Sequence, residues 1–174
     1  MKRKISKIFG VGLALVLVLS LSLVAAAPVA ASPNVSDVWV QLDDYTEYTI
    51  TPTTYHVYFT PGADLAKDVD TITVFFPIDT VPTDNVMVPV DPDGDAVAAT
   101  PGTATADVAG YRLMVTTPVD ITAGSEVRLD IPGVKNPTSA TNPVTGKPGY
   151  TLKVYTSQET TKVESSSYTI GASL

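Results

Sequence analysis

The fold class that the sequence predicts is all-β, and two observations predict it. Short segments alternate apolar and polar residues with the period of two typical of half-buried strands; in 125–131, Val127, Leu129 and Ile131 alternate with charged residues. No segment beyond residue 31 has apolar residues at helical spacing. Short strands separated by turn residues predict an immunoglobulin-like β-sandwich of about seven to nine antiparallel strands. A closed barrel is the alternative, and the long Pro-rich connections favour the sandwich.

Residues 1–31 are predicted to be a secretory signal peptide that is cleaved after Ala31. Four basic residues come first, an apolar run over 8–24 follows, and small residues precede the cleavage point. An uncleaved anchor is the alternative, because the apolar run approaches the roughly 20 residues that span a bilayer. Residues 32–174 then form a single domain, which we expect to be secreted or extracellular, including at the cell surface. Contact with the membrane is expected only through the signal segment before cleavage.

The predicted mature chain is acidic. The whole sequence has 11 Lys and Arg against 18 Asp and Glu; loss of the four basic residues of the signal peptide leaves 7 against 18, a formal net charge of −11. This balance argues against binding to nucleic acid or anionic lipid, since both require positive charge on the protein. The absence of cysteine excludes disulfides, thiolate metal sites and thiol nucleophiles.

The first strands follow directly after the predicted signal peptide. Alternate residues are apolar in 35–42, which predicts a first strand. Thr and Tyr dominate 43–60, which predicts one long strand or two collinear strands interrupted at Pro52. A third strand is predicted over 69–76, where the same alternation returns.

The middle of the chain is richer in turn residues. The segment 86–90 predicts a short edge strand, because Pro89 cannot donate a ladder hydrogen bond. Turn and loop are predicted over 91–102. A hairpin that turns near Gly110 is predicted over 103–118.

The C-terminal third predicts three further strands, which include 125–131 and 150–157 and end in the segment 163–170. The long connection 132–149 contains four Pro and three Gly. This composition predicts that it is the interior of neither a strand nor a helix.

Four motifs within 69–170 carry a resemblance to a known kind of module. They are a strand ending in an F-P corner, an I-T-A-G-S turn at 121–125, an I-P-G-V-K-N-P corner at 131–137 and a closing hairpin with Y-T-L-K-V-Y-T-S and S-S-Y-T-I. Together they resemble immunoglobulin-like modules of secreted bacterial surface proteins, of the S-layer-associated or adhesion type. The resemblance implies a spacer or adhesion role and no catalytic residues.

A possible metal site lies in the acidic segment after the fourth predicted strand. Asp91, Asp93 and Asp95 place three carboxylates at alternate positions around a glycine, as calcium loops do. An EF-hand loop would also need a glycine and a bidentate acid at the positions of Ala96 and Gly102. Two interpretations therefore remain open. In the first, these carboxylates hold a single Ca²⁺ ion; in the second, the segment is an acidic, solvated turn. No other cofactor is predicted.

Aromatic residues crowd the first third of the predicted mature chain. If Trp39 shares an exposed face with Tyr55 or Tyr58, that face would stack on sugar rings or contact a protein. The alternative is that these residues divide between the core and ordinary strand surface. The single histidine, His56, lacks the further N or S ligands that a zinc site needs, which predicts a surface histidine.

Three functions are compatible with these observations, in the following order. The first is a non-catalytic secreted or cell-surface module of structural or adhesion type, whose partners are other cell-envelope or surface proteins. The second is a carbohydrate-binding module that holds polysaccharide on exposed Trp and Tyr. The third is a secreted hydrolase, which predicts two facing acids with separated pKa values. The sequence has neither a G-x-S-x-G elbow nor a phosphate-binding glycine loop, so no enzyme activity is predicted.

Overall fold

The computed structural model describes residues 34–47, 51–95, 97 and 99–171. In these ranges the chain is all-β, and they contain no helix that is long and apolar enough to cross a membrane. The strands are β1 Ser36–Leu42, β2 Thr53–Thr60, β3 Thr71–Phe75, β4 Met87–Asp91, β5 Thr100–Asp107, β6 Arg112–Thr116, β7 Val127–Val134, β8 Thr141–Asn142, β9 Lys147–Pro148, β10 Lys153–Thr156 and β11 Val163–Glu164. The predicted signal peptide lies outside the described residues.

Nine of these strands are antiparallel neighbours in the order β1-β2-β7-β4-β5-β6-β3-β10-β11. The first half of β5 pairs with β4 and its second half pairs with β6. We therefore call β1, β2, β7, β4 and the first half of β5 sheet I, and the second half of β5 with β6, β3, β10 and β11 sheet II. Apart from the inserted β5 and β6, these are the A-B-E-D and C-F-G orders of an immunoglobulin constant-type sandwich. The predicted fold class is confirmed.

The open edges of the two sheets come together opposite β5. The backbone N–H of Ser166 donates to the carbonyl of Val38 in β1 at 3.0 Å, and Gly171 pairs in parallel with Thr46. β1 and β11 stand at opposite ends of the strand order. The fold is therefore a sandwich- or barrel-like all-β arrangement in which local bonds join the two ends of the strand order.

Gly102 lies where β5 passes from sheet I to sheet II. A Cβ atom at this position would lie 2.7 Å from the carbonyl oxygen of Thr116 and 3.1 Å from the side chain of Val115. The missing side chain therefore allows the two backbones to approach at the crossover. Because β5 begins at Thr100, the prediction that all of 91–102 is turn and loop is wrong.

β4 is an internal strand, so the prediction of an edge strand over 86–90 is wrong. It lies between β7 and β5 in sheet I. Pro89 stands opposite Pro101 in the ladder with β5, and the ladder with β7 begins at Val90. Pro89 therefore lies outside the ladder with β7, so its lack of an N–H donor removes no hydrogen bond from that ladder.

The core lies between the inward faces of the two sheets. Its fully buried side chains include Tyr55, Val57 and Phe59 of β2, Ile72 and Val74 of β3, Leu113 and Val115 of β6, Leu129 and Ile131 of β7, and Leu152 and Val154 at β10. The alternation predicted for 125–131 is confirmed, because Val127, Leu129 and Ile131 all point into this core. Each such side chain contributes about 1.5–3 kcal/mol by leaving water.

The corner after β7 is held by the buried side chain of Asn136. The hydroxyl of Tyr55 donates to its Oδ1 at 2.8 Å. Its amide nitrogen donates to the carbonyl oxygens of Asp44 and Thr46 at 2.9 and 2.7 Å. One residue of the I-P-G-V-K-N-P motif thus joins β2, the β1–β2 connection and the connection that leaves β7.

Tyr150 holds the other end of that connection. Tyr150 lies three residues before β10 begins, and its hydroxyl donates to the carbonyl oxygen of Ser139 at 2.7 Å. Immunoglobulin-like sandwiches place a tyrosine with this type of bond at the start of strand F. The intervening chain forms the short β8–β9 hairpin, and β7 extends to Val134. The prediction that 132–149 is the interior of neither a strand nor a helix is therefore wrong for 132–134.

Replacement of Asn136 by Ala is expected to lower the free energy of unfolding by about 3 kcal/mol, because the buried hydroxyl of Tyr55 and two part-buried carbonyl oxygens lose a hydrogen-bond partner. Urea unfolding of the two proteins measures this change. Tyr55→Phe is the matched control; it removes only the hydroxyl and is expected to cost about 1 kcal/mol. Equal losses in the two variants would contradict the central role of the amide.

Candidate functional site

The outward face of sheet I carries two of the aromatic residues predicted as ligand contacts. The antiparallel register places Trp39 of β1 opposite Tyr58 of β2, and Tyr58 opposite Arg128 of β7. Arg128 lies in turn opposite Asp91 of β4. Because opposite residues share a face of the sheet, these four form a line across four strands, which we call the Trp39 row.

The rings of Trp39 and Tyr58 are stacked, with centroids 3.6 Å apart and planes 3° from parallel. The guanidinium carbon of Arg128 lies 5.6 Å from the centroid of Tyr58. Tyr58 is 7% exposed beneath these neighbours, whereas Trp39 is 36% exposed. The stack therefore holds the indole in one orientation and leaves part of it open to a ligand.

Tyr55 does not belong to this face, and its prediction as a ligand contact is wrong. The alternation of β2 points it into the core, where it is fully buried and packs edge-on against Phe76 and Tyr168. Burial raises the pKa of its phenol, which keeps the hydroxyl protonated as a donor to Asn136.

A second group on the same face surrounds His56. Its Nδ1 lies 2.5 Å from Oδ1 of Asp130 and its Nε2 lies 2.9 Å from Oδ1 of Asp43. The Nε of Arg128 donates to the same Asp130 oxygen at 2.6 Å. The side chain of His56 is 14% exposed. It lies on the outward face of the strand, as the sequence predicted, but its ring belongs to a hydrogen-bonded network.

Both ring nitrogens of His56 are engaged by carboxylates, which limits the chemistry of this face. The hydrogen bond with His56 holds the pKa of Asp43 below its usual value. Burial lowers the pKa of Arg128, but the hydrogen bond to Asp130 and its charge outweigh burial, and the net shift is upward. His56 of β2 and Arg128 of β7 are both hydrogen-bonded to Asp130. These bonds across two strands favour one arrangement of the side chains on this face.

The partners of His56 are not apparent from the sequence alone. Asp130 is 74 residues away from it in sequence. A usable signal was present, because the alternation of 125–131 places Arg128 and Asp130 on one outward face. The pairing of β2 with β7, which brings that face beside His56, is a property of the tertiary structure.

The three predicted metal ligands do lie together at the end of β4. One oxygen from each of Asp91, Asp93 and Asp95 lies within 4.8 Å of the others; Asp91 is buried and the other two are exposed. A Cβ on Gly94 would lie 2.7 Å from Oε1 of Glu126, so a fourth carboxylate packs against the loop. This donor set suits a hard cation such as Ca²⁺, and its occupation by Ca²⁺ stays a prediction.

No protein-family model matches this chain, and no curated protein sequence matches it. The resemblance to bacterial surface modules therefore stays a prediction from the sequence motifs. The geometry of the outward faces supplies the remaining argument about function.

In Ca²⁺-free buffer, the variant Asp93→Asn is expected to be more stable than the wild type at pH 7. The hydrogen bond with Asp91 is the largest effect raising the pKa of Asp93, and burial and the charges of Asp95 and Asp91 add to it. A raised pKa in the folded state stabilises the fold below the unfolded pKa of about 3.9, and this contribution is lost as pH rises through the folded value. The urea midpoint should therefore rise in the variant at pH 7 and not at pH about 2.

Asp43→Asn is the matched control because it has the opposite sign. The lowered pKa of Asp43 contributes stability above the unfolded pKa, and that contribution is lost as pH falls through the folded value. Its urea midpoint should drop slightly at pH 7 and match the wild type in strong acid. The same direction of change in both variants at pH 7 would contradict the proposed electrostatics.

Proposed function

We propose that this chain is a non-catalytic, secreted module of the cell surface that acts in adhesion, with the outward face of sheet I as its binding face. The observation that carries the proposal is the indole of Trp39, which is partly exposed and stacked on Tyr58. Tryptophan is one of the residue types enriched at the energetic centres of protein interfaces. A ring that is already oriented also loses little conformational entropy on binding.

The surroundings of Trp39 favour binding over catalysis. His56 and Asp130 are the residues of this face best suited to proton transfer, and each is hydrogen-bonded within the network of β2 and β7. A general base needs a nitrogen or oxygen that is within reach of the substrate proton. The same network gives the platform the rigidity that a binding face requires.

The expected setting is outside the cell, where the partner would be another cell-envelope or surface protein. The acidic composition of the chain supports this setting, because a negative surface keeps a protein soluble and disfavours nucleic acid and anionic membranes. The predicted signal peptide and the S-layer-like motifs point in the same direction.

Polysaccharide is the second candidate partner, and the stacking geometry favours it specifically. A flat indole held parallel to a second ring at 3.6 Å presents the planar apolar surface on which a sugar ring stacks. Gln41 lies two residues further along β1, and its exposed amide faces the same side. An aromatic platform bordered by an amide is suited to the C–H face and the hydroxyls of a sugar.

Replacement of Trp39 by Ala is expected to weaken binding by about 2 kcal/mol, roughly a 30-fold loss. The measurement is retention of the secreted protein on isolated cell envelopes and on insoluble glycans. Met114→Ala is the matched control, because Met114 is a similarly exposed apolar residue of sheet II; it should bind as the wild type does.

The retention pattern separates the candidates. Binding to envelopes that is destroyed by protease treatment of the envelopes supports a protein partner, and binding to protein-free glycan supports polysaccharide. Unchanged retention of the Trp39 variant, or no retention of the wild type on either material, would overturn the proposed face.

A further inference from the structure

Sheet II carries a line of residues on its own outward face. Arg112 of β6 stands opposite Phe75 of β3, and Phe75 stands opposite Lys153 of β10. Lys153 stands in turn opposite Glu164 of β11. These four residues therefore share one face across four strands, and we call them the Phe75 row.

Two cationic side chains, those of Lys162 and Arg112, lie over the ring of Phe75. The ammonium of Lys162 lies 3.7 Å from the ring centroid, and the guanidinium carbon of Arg112 lies 5.9 Å from it. The ring of Tyr155 stacks beside Phe75 at 5.8 Å. Attraction between a cation and the aromatic face holds the two positive groups over the ring, although Arg112 is also paired with Asp107 at 3.2 Å.

A groove of about 390 Å³ runs between this row and the β8–β9 hairpin. Its volume lies within the range of small-molecule sites. The apolar part of its lining comprises Phe75, Phe76, Pro77, Ile78 and Val144. The polar part comprises Asn142, Thr145, Thr151, Lys153, Lys162 and Glu164.

The charge of the groove is opposite in sign to that of the protein. Lys153 and Lys162 against Glu164 give the lining one net positive charge, whereas the whole chain has a formal net charge of −7. The hydroxyl of Thr151 donates to Oε1 of Glu164 at 2.5 Å, which orients this acid within the lining. A complementary ligand should therefore bring one negative charge together with neutral donors and acceptors.

We propose that this groove binds a carboxylated sugar, a uronic acid unit of an acidic polysaccharide. The single carboxylate of such a unit complements the net charge supplied by Lys153 and Lys162. Its hydroxyls match the amide, hydroxyl and carboxylate groups of Asn142, Thr145 and Glu164. Its C–H surface matches the apolar wall. An acidic peptide fits less well, because its side chains offer carboxylates without the ring hydroxyls and C–H faces that match the polar and apolar lining.

Polygalacturonate and its fully methyl-esterified form are the matched ligands for the test. The ester keeps the rings and hydroxyls and removes the charge. In titrations of the full chain at low salt, polygalacturonate should bind and the ester should bind at least fivefold more weakly. Binding of polygalacturonate should also weaken as NaCl screens the charges.

Lys162→Gln and Lys153→Gln should each weaken binding of polygalacturonate about fivefold. Lys67→Gln changes an exposed lysine of the β2–β3 connection and should bind as the wild type does. Val144 is 75% exposed, so Val144→Glu should add repulsion at the rim without loss of stability. Thermal unfolding of every variant verifies that the fold is kept.

Equal binding of the ester, or equal weakening by Lys67→Gln and Lys162→Gln, would overturn the proposal. Binding of polyglutamate in place of polygalacturonate would overturn it in favour of an acidic peptide. The groove and the Trp39 row lie on different sheets, so Trp39→Ala should leave binding of polygalacturonate unchanged. Failure of this proposal is therefore distinguishable from failure of the proposed adhesion face.

Discussion

The side-chain amide of Asn136 is the contact on which the arrangement of sheet I depends. It is buried, and it satisfies the hydroxyl of Tyr55 and the carbonyl oxygens of Asp44 and Thr46 at once. A buried amide without these partners would be costly, so the corner has one favourable geometry. Because Tyr55 is anchored inward by this bond, its neighbours along β2 must point outward. The orientation of the candidate binding face thus follows from a bond inside the core.

The outward faces of the two sheets share one kind of contact, a cation over an aromatic ring, but differ in how that cation is paired. In each, a cation lies over an aromatic ring of the cross-strand row, Arg128 over Tyr58 and Lys162 over Phe75. On sheet I, Arg128 is hydrogen-bonded to the carboxylate of Asp130, and the exposed aromatic residue is Trp39. On sheet II, Lys153 and Lys162 line a groove that the β8–β9 hairpin borders. A sandwich with a filled core offers its faces and connections for binding, and here the two faces suit different partners.

The sequence contains no cysteine, so no disulfide joins its loops. Hydrogen bonds to buried carboxylates connect loops that are distant in sequence. The carboxylate of Asp70 accepts from the backbone of Ala66 and the hydroxyl of Ser157, and these bonds hold its pKa below the usual value. Glu159 accepts from the backbone of Gly62. Both acids tie the β2–β3 connection to the turn after β10. Such bonds are strong while the acids are ionised, and the contribution of Asp70 is lost in acid as pH falls through its folded pKa.

The sequence by itself determined the inward and outward faces of most strands, because the period of two is a local property of the pleated backbone. It therefore predicted the all-β class and the inward side of β7. Local patterns could not predict that β4 is internal, since that depends on the strands that β7 and β5 bring to it. They also could not assign partners to His56 or bring the hairpin beside Phe75. Tertiary structure decided these features, because cross-strand register joins residues that are distant in sequence.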